Sequence, residues 1–146
     1  MGQQQLLLIV LGVIIVGIAI AVGISMFKSN AQSSNRDQVI NDLNNLAAKA
    51  QQYYRKPTSM AGGGQSFVGF TLSKVDTANA NGFYQISNSN VTTAANYDAA
   101  ATGNVSSGTD STFIVGWGTE SGNTTTLKVE AIATVTANGV TTKVLN

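Results

Sequence analysis

The chain has 146 residues, with 8 Lys+Arg against 7 Asp+Glu, no His, no Cys and one Pro, and only 10% of its side chains are charged. A net charge of +1 provides no concentrated basic face for nucleic acid. Without thiols or imidazoles there is no cysteine nucleophile, histidine base, disulfide or Cys/His zinc site, so neither an enzyme nor a cofactor- or metal-binding protein is expected.

Residues 1–27 carry no charged side chain, and Lys28 is the first. Residues 6–27 are apolar apart from Gly12, Gly17, Gly23 and Ser25. As a helix, these 22 residues span roughly 33 Å, enough for a bilayer core of about 30 Å. The apolar character comes from Leu6, Leu7, Leu8, Val10, Leu11, Val13, Ile14, Ile15, Val16, Ile18, Ile20, Val22, Ile24 and Phe27, which leave no wet face. Such a segment needs lipid or protein all round. Its β-branched residues lose few rotamers on packing, and its glycines permit close approach or local melting. A cleaved secretory signal fits poorly, because nothing basic precedes Leu6 and the run exceeds the usual ~7–15 apolar residues.

Residues 28–56 form the second segment. Residues 28–38 are polar, and then Val39, Leu43, Leu46, Ala50 and Tyr53 recur every three to four positions, widened by Ile40 and Ala47. Asp42, Asn45, Lys49 and Gln52 fall outside this stripe, so the pattern predicts an amphipathic helix. It should stop near Arg55 or Lys56, since Pro57 disfavours helix at the residue before it. Gly62, Gly63 and Gly64 then read as a flexible connector. Asn35 is a candidate N-cap if two helices are separate; unbroken, a single rod of about 54 residues runs ~80 Å.

Residues 57–146 change character. All 16 Thr lie beyond residue 57, mixed with Asn, Ser and Gly between short apolar groups. The pattern predicts strands over 66–72, 82–88, 111–117, 124–136 and 140–145. Ala137-Asn138-Gly139 between the last two signals a hairpin. Leu127, Val129, Ala131, Ala133 and Val135 alternate onto one face; Lys128, Glu130, Thr134 and Thr136 lie opposite, with Ile132 as the exception. The stretch 90–110 reads as a long surface loop.

The expected fold is α+β: a long N-terminal α-helix with an apolar protruding half, its C-terminal half packed on a small antiparallel β-sheet head. The sheet has one apolar face with nothing else to cover it, and the stripe from Val39 to Tyr53 supplies the cover. The N-terminal 27 residues then have no partner inside the monomer.

Smaller signals read as structure. Phe67, Phe70, Phe83, Tyr84, Phe113 and Trp117 sit in predicted strands, where packing explains them. Asp76, Asp98, Asp110 and Glu120 read as solvated loop ends, without the convergent oxygens a Ca²⁺ site needs. Glycosylation sequons occur at Asn90, Asn104 and Asn123, as chance allows in an Asn/Thr-rich chain. The Gly62–64 run lacks the following Lys-Ser/Thr of a phosphate loop, and Arg55 and Lys56 suit a helix C-terminus.

Gly2 before Gln3, the apolar run, the amphipathic continuation ending in Tyr53-Tyr54, the glycine run and the β-rich remainder resemble a type IV pilin or pilin-like subunit. The likeness in residue pattern covers about residues 2–56. It implies a leader cleaved between Gly2 and Gln3, a stem that packs with other stems into a helical filament core, and heads on the outer surface. It further implies an inner-membrane stage before assembly, an assembly machinery as partner, and a cell-surface or extracellular filament without nucleic acid in its core. The pattern is atypical: the leader is not basic and no carboxylate precedes Asp37, so the family's acidic stem residue has no counterpart. Gln3, Gln4 and Gln5 are the polar groups available for hydrogen bonds around the stem tips.

The expected function is therefore a self-polymerising filament subunit. One alternative is a single-pass anchored surface module that binds through its head; another is a pseudopilin of a secretion or DNA-uptake machine. Lys28 and Arg36 follow the span and no basic side chain precedes it, a weak bias toward a cytoplasmic head.

Overall fold

A computed structural model describes residues 2–87, 105, 110–121 and 128–145. One α-helix, α1 (Gly2–Arg55), runs unbroken for 54 residues, or about 81 Å. No proline interrupts it before Pro57, and there is no break at Asn35, which lies inside the helix and is buried there. Among the described residues, a 3₁₀ turn (Thr58–Met60) and a short helix α2 (Lys74–Thr77) precede four strands: β1 (Gly82–Ser87), β2 (Ser111–Ser121), β3 (Lys128–Thr136) and β4 (Val140–Val144). They form one antiparallel sheet in the order β1-β2-β3-β4. The fold is the expected α+β arrangement, with the second half of α1 lying across one face of the sheet.

The core follows from the helical stripe. Val39, Leu43, Leu46, Ala47 and Ala50 are buried against Tyr84, Ile86, Ile114, Ala131, Ala133 and Val135. Each large member contributes roughly 1.5–3 kcal/mol by leaving water. Small residues let the helix approach closely: a methyl group added at Gly116 would lie 2.9 Å from the Tyr84 ring and 3.1 Å from Val39. Tyr53 and Tyr54 close the end of the stripe, half-buried, their rings 5.5 Å from Phe70 and 4.7 Å from Phe67 respectively.

Several local expectations are corrected. Residues 66–72 form no strand. Phe67 and Phe70 are both buried because the chain turns between them, through Gly69 at φ 84° and a Phe70 N–H donating to the Phe67 carbonyl at 3.0 Å. Two aromatics three apart thus point the same way, which an extended strand cannot arrange.

Nor are Gly62–64 a loose connector. The N–H groups of Gly63, Gly64 and Gln65 donate to the carbonyls of Tyr53, Lys56 and Tyr54 at 2.8–2.9 Å, capping the end of α1. Any Cβ at Gly62 or Gly63 would collide with backbone, of Lys56 or Ser66 respectively. Glycine is required there by space.

The strands over 82–87, 111–121, 128–136 and 140–144 match the expected positions, except that β2 extends further and Leu145 lies beyond β4. Residues 88 and 124–127 of the predicted strands, Leu127 included, lie outside the described residues. The hairpin is present, but Thr136 and Gly139 face each other across it, so Ala137 and Asn138 form its tip. Neither Asn138 nor Gly139 takes a positive φ, so the turn does not use the geometry for which Asn-Gly is favoured.

On the helix side of β3, Val129, Ala131, Ala133 and Val135 are fully buried, as the alternation predicts. The opposite face is less polar than its sequence suggests: Ile132 joins Val115 and Trp117 in a second apolar cluster, and Glu130 is buried too. Of the predicted surface loop over 90–110, Val105 and Asp110 are described. Val105 is buried, exchanging backbone hydrogen bonds with Gly69 and Phe70.

Candidate self-assembly surface

The sheet covers only the second half of α1. Residues 2–30 are exposed throughout. Within them Leu6, Leu7, Leu8, Val10, Leu11, Val13, Ile14, Ile15, Val16, Ile18, Ile20, Val22, Ile24 and Phe27 are 48–78% exposed, close to what a lone helix shows. A Cβ placed on Gly12, Gly17 or Gly23 would meet nothing within 4 Å. The helix is long and apolar enough to cross a membrane. Gly2 and Gln3 form its first residues, exposed, and no acidic side chain lies in its first turn.

The expected packing residues Val39, Leu43, Leu46, Ala50 and Tyr53 are brought together under the sheet, separate from the stem. Tyr53 also donates its hydroxyl to the Val68 carbonyl at 3.0 Å. Stem and stripe therefore occupy one helix but face different surroundings: the stripe is satisfied by the head, and the stem is not.

Polar clamps that the sequence does not reveal fix the head to the helix. Asn35 donates from Nδ2 to the Asn81 carbonyl at 2.9 Å and to Thr119 Oγ1 at 3.3 Å, while its Oδ1 accepts from the Glu120 N–H at 3.3 Å. Asp42 Oδ2 accepts from Asn79, Asn81 and the Tyr84 hydroxyl. Partial burial raises the Asp42 carboxyl, but hydrogen bonds from Asn81, Tyr84 and Asn79 outweigh it and hold the group below its ordinary 3.8. Burial, together with the Asp42 carboxylate, pushes the Tyr84 phenol well above its usual range, so the hydroxyl remains a donor. Asp76, expected at a solvated loop end, pairs with Lys49 at 2.6 Å; that bond chiefly lowers its carboxyl, and Ser73 adds a hydrogen bond. Apart from Ser73, these partners lie 27 to 85 residues away and leave no local sequence signal for the contacts.

Between the Asp42 cluster and the Lys49–Asp76 pair lies a groove of about 410 Å³ whose lining includes Asp42, Asn45, Lys49, Asp76, Asn79 and Tyr84. Its ionised groups are engaged with one another or with amides, an arrangement suited to holding α2 and β1 against the helix. No group of three His, Cys, Asp or Glu side chains able to hold a metal ion occurs among the described residues. Of the six singled-out aromatics, Phe67, Phe70, Tyr84 and Trp117 are buried, Phe113 is half-buried and Phe83 is exposed. Asp110 and Glu120 are exposed, whereas Asp98, Asn90, Asn104 and Asn123 lie outside the described residues.

Searches with protein-family models, among curated proteins and among solved structures gave no significant match. Among the described residues, the geometry defines an α+β protein whose head has a buried core while its apolar stem stays uncovered.

Proposed function

We propose that the protein is a structural subunit of an extracellular filament of the type IV pilus kind, polymerising through its N-terminal helix. The observation that carries this reading is the stem, whose large apolar side chains all lie exposed from Leu6 to Phe27 beside a head that needs nothing from them. Left in water, each such side chain forgoes roughly 1.5–3 kcal/mol of burial. Before assembly the stem sits in the inner membrane; an assembly machinery then moves it from lipid to protein. Lipid tails give helices little hydrophobic reason to associate, so the gain must come from close packing. Stiff β-branched side chains and three glycines suit that packing.

The arrangement of apolar helix, amphipathic continuation and small antiparallel sheet supports the pilin-like assignment. A single-pass anchor that never polymerises is the second reading, favoured by a stem whose apolar length, roughly 33 Å, suits a bilayer core. Negative-stain microscopy of material sheared from cells separates the two. Long fibres containing this chain support the filament, and membrane-bound monomer supports the anchor. Ile15→Asp should abolish fibres while leaving the head folded; normal fibres from that variant would contradict the stem's role in the core.

A further inference from the structure

We propose that Asn138 is a site of spontaneous covalent modification: its side-chain amide is lost through attack by the Gly139 backbone nitrogen, which leaves aspartate and isoaspartate at the tip of the β3–β4 hairpin. The proposal does not rest on the filament reading.

Asn followed by Gly occurs twice in the chain, at Asn81-Gly82 and at Asn138-Gly139. Glycine has no side chain to shield its own nitrogen, and its backbone rotates freely enough to bring that nitrogen onto the preceding carboxamide. The two copies share one chemistry and differ in what holds them.

Asn81-Gly82 is held at nearly every polar group. The Asn81 carboxamide donates to Asp42 Oδ2 at 2.9 Å. The Asn81 and Gly82 N–H groups both donate to Asn79 Oδ1, at 2.9 and 3.0 Å. The Asn81 carbonyl accepts from Asn35 Nδ2 at 2.9 Å and from the Thr119 N–H at 3.2 Å. Gly82 is buried and pairs in register with Gly118 of β2. Reaction there requires breaking the clamp that fixes the sheet on α1.

Asn138-Gly139 is far looser. Asn138 is exposed, and its side chain makes no hydrogen bond to any described residue. The Gly139 N–H donates to a side chain, the Thr136 hydroxyl, at 3.1 Å. A Cβ placed on Gly139 would meet nothing within 4 Å, so the space beside the attacking nitrogen is open. Neither residue has a positive φ, so the pair is not locked in the left-handed turn geometry that Asn-Gly ordinarily adopts in hairpins.

The step balances with water and hydroxide alone. The Gly139 nitrogen gives its proton to hydroxide and bonds to Asn138 Cγ. The Cγ–Nδ2 bond breaks, and the carboxamide nitrogen leaves as ammonia after taking a proton from water. Water then opens the resulting five-membered imide. Cleavage at Cγ gives aspartate; cleavage at the main-chain carbonyl carbon gives isoaspartate, whose backbone runs through the former side chain. Either product adds one carboxylate to the exposed tip. One conversion brings the chain's formal net charge from +1 to zero, the condition in which proteins associate most readily.

To test this, the full chain is aged in detergent at mildly alkaline pH, once folded and once unfolded in guanidinium chloride, and peptide mapping by mass spectrometry follows both asparagines. Unfolded, the two sites should convert at similar rates. Folded, Asn138 should stay close to its unfolded rate, whereas Asn81 should slow roughly tenfold or more, as for a group reached only by local opening. Gly139→Ala, which the open space and ordinary φ admit, should lose most of the isoaspartate at position 138. An Asn138 that stays an amide in the folded chain, or slows as much as Asn81, overturns the proposal. So does an Asn81 that converts as fast as Asn138 in the folded chain, or isoaspartate undiminished in Gly139→Ala.

Discussion

The Tyr84 hydroxyl on β1 donates to Asp42 Oδ2 on α1 at 2.7 Å, and the same oxygen accepts from Asn79 and Asn81 at 2.8 and 2.9 Å. One carboxylate thereby gathers an edge strand and the segment leading into it onto the helix. With Asn35 seven residues earlier, it anchors the end of the head nearest the stem. The apolar stripe supplies most of the adhesion, and these two side chains decide where along the rod the sheet sits.

Tyr84→Phe removes one donor to that carboxylate while keeping the ring that packs in the core. We expect a loss of about 1 kcal/mol, seen as a fall of about 4–8 °C in the thermal midpoint for a head of this size. Asp42→Ala leaves three donors without an acceptor and should cost more, about 1–3 kcal/mol. Circular dichroism melts in detergent measure both; a Tyr84→Phe midpoint equal to that of the unaltered chain would show that the bond contributes nothing.

The same carboxylate makes the fold acid-sensitive. Its folded value lies below 3.8, so its stabilising contribution is complete above that pH and is lost as the pH falls through the folded value. Asp76 behaves alike through Lys49. Stability should therefore be flat above about pH 5 and decline below about pH 4. In Asp42→Asn/Asp76→Asn the decline should be shallower, and an unchanged acid limb in that variant would assign the sensitivity to other groups.

Asn35 and Gly118 occupy one space. A Cβ on Gly118 would strike the Asn35 side-chain oxygen. Gly118→Ala should cost about 1–3 kcal/mol through overpacking, and Asn35→Ala a similar amount through lost and orphaned hydrogen bonds. Because the second change vacates the room that the first needs, the double variant should be less destabilised than the sum. Urea titration of all four proteins gives the coupling; strict additivity would mean that the contact is not felt.

Among the described residues, deleting residues 2–27 removes no buried contact from the head. The shortened chain is expected to be monomeric without detergent, and to melt within a few degrees of the full chain. A large fall in its midpoint would indicate that the stem supports the head after all.

The stem and the helical stripe were legible because each rests on a single-element periodicity. Thus Val39, Leu43, Leu46 and Ala50 stand where their spacing puts them, and Val129 to Val135 alternate onto the helix-facing side of β3. Features decided by tertiary partners were not legible. Asn35 resembles an N-cap in isolation, and Asp42 a solvent-facing acid; both acquire roles from residues brought close only by the completed sheet. The glycine run and the segment around Phe67 and Phe70 were misread for one reason: the end of α1 presents open carbonyls and Tyr53 and Tyr54 rings, and the chain folds back to meet them. Of the candidate surface, sequence locates the apolar half.

The unjointed helix turns the whole subunit into a lever. A tilt of about 10° at Lys28 would swing Arg55 sideways by roughly 7 Å, since nothing between them absorbs the angle. Small adjustments at the buried end would thus be magnified at the periphery, so that the pitch and surface texture of an assembly would be written by its innermost layer, and one amino-acid change among the rods would re-space every knob on the outside.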